Sequence, residues 1–200
     1  MNRIVLLTMF AFFFGGSLQA QTYKEQYTKC SQIMNGVDVE DPNFFTQKYK
    51  MLDCLIGSNA PDFSVKALDG ETLALKNLKG QVVVINVWNT GCKPCIAEMP
   101  ALNEIVQMYQ DKNVTFISIA PEEDEELIRT FLQKRPFNFT PVANARKAII
   151  EDFITEQIYP YTMIIDKNGI VKKIILGGSE DKEKTFKSIL PHIDESLSKN

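Results

Sequence analysis

The chain has 200 residues, 44% of them hydrophobic and 24% charged, the composition of a folded soluble protein rather than a disordered or fibrous one. Acidic residues outnumber basic ones 25 to 22, a net charge of −3 that gives no support to a nucleic-acid-binding surface. A single histidine excludes any triad not built on His192 and disfavours zinc hydrolases, while four cysteines suffice for two pairs but not for a disulfide-dense miniprotein.

Residues 1–20 read as a secretory signal peptide: Arg3 supplies a positive charge, residues 4–14 are apolar apart from Thr8, and Gly15-Gly16-Ser17-Leu18-Gln19-Ala20 offers a small-residue cleavage region. The apolar run is shorter than the ~20 residues a membrane-spanning helix needs. A retained anchor is the alternative, and no cysteine near residue 20 suggests lipid attachment. Export, to the periplasm or an equivalent compartment, would let disulfides persist. Residues 21–56 form a polar extension carrying Cys30 and Cys54, with short helices expected over 23–34 and 43–56 and turn signals at Asn35-Gly36 and Asp41-Pro42. Gly57-Ser58-Asn59-Ala60-Pro61 marks a boundary, after which residues 57–200 form the main domain.

Beyond the boundary, stretches 63–68 and 72–75 flank Asp69-Gly70, a hairpin signal. Residues 81–88 contain Val82-Val83-Val84-Ile85, a β-branched run expected in a strand buried on both faces. A helix is expected over 95–109, with Ala97, Ala101, Leu102, Ile105 and Met108 on its apolar side. A strand over 114–120 and a helix over 123–134 follow, the helix turning Leu127, Ile128, Phe131 and Leu132 inward. A short helix is expected over 147–153. Strands 161–165 and 170–176 are joined by Asp166-Lys167-Asn168-Gly169, and a last helix runs over 180–190, ended by Pro191. Strand–helix alternation closed by a hairpin predicts an α/β protein with a central mixed sheet flanked by helices.

Cys92-Lys93-Pro94-Cys95 falls between the buried strand and the next helix. Amide N–H groups at a helix N-terminus stabilise a thiolate, and Lys93 adds a cation beside it. Two cysteines three apart can close a disulfide on the first turn, so one thiol can attack a partner's disulfide and the other resolve the mixed disulfide. Pro94 suits the first turn because its missing N–H would be unpaired there anyway. Half of a zinc knuckle looks the same, but the remaining pair, Cys30 and Cys54, is not spaced like knuckle ligands. Those two are read as a structural disulfide pinning the extension, with a second redox pair or free thiols as alternatives.

The segment from Lys79 through Val82-Val83-Val84-Ile85-Asn86-Val87-Trp88-Asn89-Thr90-Gly91-Cys92-Lys93-Pro94-Cys95-Ile96-Ala97-Glu98-Met99-Pro100 resembles the TlpA/ResA-type exported thiol–disulfide oxidoreductases of the thioredoxin superfamily. Ala60-Pro61-Asp62-Phe63 upstream and Tyr159-Pro160-Tyr161-Thr162 with Asp166-Lys167-Asn168-Gly169 downstream extend the likeness to about residues 57–190. The resemblance implies a thioredoxin-like fold, with Cys92 as attacking cysteine and Cys95 as the buried resolving one. It further implies Pro160 as a cis-proline facing the disulfide, Tyr159 presenting backbone to the substrate, and Glu98 as the proton-handling group. The aspartate that cytosolic-type thioredoxins bury six residues before the first cysteine is replaced by Asn86, which cannot titrate. Two positions depart from the family: Gly91 stands where it usually has Trp, leaving the rim more open, and Tyr159 is bulkier than its usual counterpart.

As implied partners, the resemblance gives disulfides of exported proteins, apocytochrome c among them, and a membrane electron donor of the DsbD/CcdA type. It implies no cofactor and no metal. Competing readings are a net oxidant using the same residues, a copper carrier built on Cys92, Cys95 and His192, or an adaptor using the extension. A peroxidase lacks its Pro-x-x-x-Thr-x-x-Cys pattern, since Ile85 and Asn89 occupy the required positions. The acidic run Glu122-Glu123-Asp124-Glu125-Glu126 reads as the favourable charge of a helix start, or as a selector of basic partners if it shares the sheet edge of Cys92. His192 is expected at the surface.

Overall fold

A computed structural model describes residues 22–121, 124–147, 153 and 158–198. The expected signal peptide, Glu122 and Glu123, and all of the expected helix 147–153 except its two end residues lie outside them.

The β-branched run forms β3 (Val82–Val87), every residue of which is buried. Its alternation divides the core in two: Val83, Ile85 and Val87 face one hydrophobic cluster, and Val82 and Val84 the other. β3 is central in a five-stranded sheet of order β5-β4-β3-β6-β7. It pairs parallel with β4 (Val114–Ala120), which pairs parallel with β5 (Thr140–Ala143). On the other side it pairs antiparallel with β6 (Tyr161–Ile165), which pairs antiparallel with β7 (Val171–Leu176). A separate antiparallel hairpin joins β1 (Ser64–Lys66) to β2 (Thr72–Ala74) across the Asp69-Gly70 turn.

One face of the sheet is covered by α3 (Lys93–Met108), α4 (Glu125–Lys134) and α5 (Lys182–Ser198), through Leu102, Ile105, Ile128, Phe131, Ile189 and Ile193. The other face receives the hairpin and the N-terminal extension. In that extension α1 (Tyr23–Cys30) opens on a capping box between Thr22 and Glu25, and α2 (Phe44–Cys54) follows. Tyr23, Cys30, Met51, Leu52 and Leu55 join the same cluster as Val83, Ile85, Met163 and Ile165. The Tyr23 hydroxyl donates to the Phe153 carbonyl at 3.2 Å, and Cys30 and Cys54 are joined by a disulfide. Burial of five apolar side chains makes the extension part of the core rather than an appendage.

Several elements differ from the expected ones. β5 had no sequence signal, because it is four residues long and contains Pro141; its place at the edge of the sheet tolerates the missing N–H. Pro191 does not end α5, which runs on to Ser198. Pro191 and Lys187, whose carbonyl loses its partner, are both exposed, so water can take that carbonyl while Ile189, Ile193 and Ser196 hold the helix on the core. Met108 and Leu127 point outward, 48% and 46% exposed, because each lies in a terminal turn beyond the stripe its helix buries. The parallel pairing of β3 and β4 puts Asp124 to Glu126 at the same sheet edge as Cys92. Asp124 there caps α4, accepting from Leu127 N–H at 2.8 Å, and Glu125 pairs with Arg129 at 3.5 Å.

Candidate active site

The loop after β3 is anchored by Trp88, buried against Phe131 and Phe137, and turned by Asn89, whose Oδ1 accepts from Gly91 N–H at 3.0 Å. Gly91 is exposed, and a side chain built on it would meet only Asn89 Oδ1 at 3.5 Å. The chain enters α3 with Cys92 as N-cap and Lys93 and Pro94 as the first helical residues, two positions earlier than expected. Cys92 and Cys95 are joined by a disulfide, and Cys92 Sγ accepts from Cys95 N–H at 3.2 Å. The two sulfurs are not equivalent, since Cys92 is partly exposed and Cys95 is 1% exposed. A docking macromolecule can therefore reach Cys92 alone, and a thiolate formed there sits on the free N–H groups of the helix start. Lys93 is exposed beside it.

The Tyr159–Pro160 peptide bond is cis, with Pro160 buried and Tyr159 half-buried at the start of β6. Gly178 ties this segment to the cysteine helix. A Cβ on Gly178 would stand 2.6 Å from the Pro94 carbonyl oxygen, 2.9 Å from Glu98 Oε2 and 3.0 Å from Pro160 Cγ. Only a hydrogen fits there. Gly178→Ala is accordingly expected to cost about 1–3 kcal/mol and to slow thiol–disulfide exchange, whereas Gly91→Ala should leave stability unchanged. Chemical denaturation and single-turnover rates of the two variants check this contrast.

Glu98 follows Cys95 by one helical turn and is 5% exposed. Its Oε1 accepts from Asn86 Nδ2 at 3.0 Å, and the same amide group donates to Thr162 Oγ1 at 2.9 Å. The pleat explains the meeting: Asn86 shares the face of Val82 and Val84, which α3 covers, and Thr162 is its cross-strand partner on β6. Burial pushes the Glu98 carboxyl up to about 7, with the Asn86 hydrogen bond acting in the opposite direction. A carboxyl with that midpoint can accept or return a proton near neutrality, one turn from the buried Cys95.

Asn86, noted in the sequence only as a group that cannot titrate, is thus the orienting donor for Glu98. Its one sequence signal is an amide inside an otherwise apolar buried strand, where it must find a partner. Gly178 carried no signal beyond its place in a glycine pair. Glu98 also lines a cavity of about 390 Å³ together with Tyr49, Thr162, Lys173, Lys184 and His192. His192 is half-buried at the edge of this cavity, and burial together with Lys173 lowers its pKa below 6.5. Among the described residues no group of three or more His, Cys, Asp or Glu side chains could hold a metal ion, and no helix is long and apolar enough to cross a membrane.

The AhpC/TSA family profile matches residues 56–174, leaving the extension outside. The chain is similar to a thiol–disulfide oxidoreductase ResA of Bacillus cereus, 37% identical over 142 residues, which cover 70% of this chain and 79% of that protein. It is also similar to the thioredoxin-like protein YneN of Bacillus subtilis, 38% identical over 131 residues, 64% of this chain and 75% of that one. The crystal structure of a thioredoxin-family thiol:disulfide interchange protein from Chlorobium tepidum TLS shares the fold, with a TM-score of 0.60 at 23% identity over 71% of this chain and 97% of that one. A thioredoxin-like sheet with a disulfide at the start of its α3 helix, matched over most of its length by ResA sequences, belongs to the AhpC/TSA family and is a thiol–disulfide oxidoreductase of the ResA kind.

Proposed function

We propose that this oxidoreductase is exported and reduces disulfides in exported proteins, the haem-attachment cysteines of apocytochrome c among them. In its reduced form the Cys92 thiolate attacks one sulfur of the substrate disulfide, forming a mixed disulfide and releasing the other substrate sulfur as a thiolate, which takes up a proton. Cys95 then passes its proton to the Glu98 carboxylate and attacks Cys92 Sγ. This closes the Cys92–Cys95 disulfide and expels the second substrate sulfur as a thiolate, which takes up the proton that Glu98 gives back. Two electrons from a membrane donor of the DsbD/CcdA type reopen the pair. Pro160 and Tyr159 present the surface and backbone against which the substrate strand lies, with Gly91 and Lys93 at the rim.

The observation that carries this reading is the asymmetry of the pair, with Cys92 reachable at the helix start and Cys95 enclosed beside a buried carboxyl whose midpoint is near neutrality. The apolar segment 4–14 and the Cys30–Cys54 disulfide support an oxidising, exported setting. The test is a Cys95→Ser variant expressed in the native host. It is expected to accumulate exported proteins covalently bound through Cys92 and released by reductant, while Cys92→Ser captures none. An empty Cys95→Ser trap overturns the reading.

A further inference from the structure

The extension lies outside the family profile, yet it reaches the redox site through a short chain of contacts. Tyr49, on α2, donates its hydroxyl to the Leu176 carbonyl at 3.2 Å. Leu176 is the last residue of β7, and the next residue, Gly177, donates its N–H to the Pro160 carbonyl at 2.9 Å. Gly178 follows, pressed against Pro94, Glu98 and Pro160. Three consecutive residues therefore connect a tyrosine of the extension to the cysteine helix, the cis-proline and the buried carboxyl. Tyr49 also walls the cavity that Glu98 lines.

The anchor behind Tyr49 is firm. Met51 and Leu52 are buried in the core, Asp53 pairs with Lys173 of β7 at 3.2 Å, and Cys54 is tied to Cys30. Such fastening holds the ring in place, because a side chain on a pinned helix loses little further entropy in keeping one contact.

We propose that Tyr49 is a positioning residue of the redox site: it holds the Leu176–Gly178 segment over Pro160 and Glu98, and so makes the extension part of the proton-handling machinery. The inference rests on the reading of Glu98 as acceptor of the Cys95 proton. Its physical content is water exclusion. Tyr49 is 45% exposed and its ring forms the α2 side of the cavity, so removing it widens the opening and brings more water to the carboxyl, stabilising its ionised form. The other titratable and charged groups lining the cavity with Glu98 are Lys173 of β7, whose partner is Asp53, and Lys184 and His192 of α5, while Cys95 lies one turn away on the helix of Glu98. None of them is altered by changing Tyr49.

The experiment titrates the Glu98 carboxyl by carbon NMR in the full chain labelled at glutamate, its signal assigned by loss in Glu98→Gln. The pH profile of mixed-disulfide resolution by Cys95 is measured on the same samples, with glutathione on Cys92 as the probe. Tyr49→Ala is expected to lower the Glu98 midpoint by about one pH unit, from the neighbourhood of 7 toward the ordinary carboxylate range, and to carry the resolution profile down with it. Tyr49→Phe, which keeps the wall and loses the hydroxyl, is expected to move both by less. A Tyr49→Ala protein that melts cooperatively and keeps the wild-type Glu98 midpoint overturns the inference alone. If Tyr49→Ala fails to fold, an unmoved Glu98 midpoint in Tyr49→Leu, which also removes the ring, does the same. A wild-type resolution profile that Glu98→Gln leaves unchanged overturns the proton role of Glu98 and this inference with it.

Discussion

The Glu98→Gln variant is expected to be more stable than the wild type above pH 7, by about 3 kcal/mol, and slower at resolving mixed disulfides by about 10²-fold or more. The stability gain follows from linkage. The carboxyl titrates at 4.5 in the unfolded chain and at about 7 in the folded one, so between these values the folded state binds the extra proton. Stability therefore falls as pH rises through this window and levels off above 7, at about 1.4 kcal/mol per unit of difference. A neutral glutamine carries no such loss, and its carbonyl can still accept from Asn86. The gap between the variants should close as pH falls toward 4.5. Denaturant unfolding of both oxidised proteins between pH 4 and 9 measures it; parallel curves would show that Glu98 is not held dry. The same change removes the proposed proton acceptor one helical turn from Cys95, so the more stable protein should be the poorer enzyme. A carboxyl kept in an unfavourable place at a cost to stability is the pattern expected of a group retained for chemistry.

Breaking the Cys30–Cys54 disulfide by a double alanine replacement is expected to cost about 3.5 kcal/mol by the chain-entropy relation. The bond spans 24 positions, and Cys30 is 1% exposed. For a domain of this size the loss corresponds to a fall in Tm of about 10 °C. Thermal unfolding of the double variant, with each single variant as control, checks it. The linkage of Tyr23 to Phe153 and the burial of Met51 and Leu52 make the extension and the sheet unfold together, so one transition is expected. An early separate transition would show the extension melting on its own, and would then expose Glu98 as the loss of Tyr49 does.

Much of the scaffold was legible because its signals are local. The run Val82-Val83-Val84-Ile85 announces a doubly buried strand, Asp69-Gly70 and Asp166-Lys167-Asn168-Gly169 announce hairpins, and the cysteine motif announces a helix start. Elements whose formation depends on a neighbour were not legible. β5 exists because β4 offers it a ladder, and α5 passes Pro191 because two isoleucines hold it to the core. Exposure of Leu127 and Met108 likewise depends on where the neighbouring elements stop.

By itself the sequence determined the fold class and the cysteine pair at its helix start, since strand pattern, turn chemistry and motif spacing act over a few residues, while Glu98 entered as proton carrier through the family resemblance. Only the tertiary structure decided that Asn86 orients Glu98, that Gly178 has no room for a side chain and that an extension outside the family pattern reaches the site through Tyr49. Those contacts join Asn86 to Glu98, 12 positions apart, Gly178 to Pro94 and Glu98 on a distant helix, and Tyr49 to Leu176, 127 positions apart, and such closures are set by how the whole core packs, which no local pattern encodes.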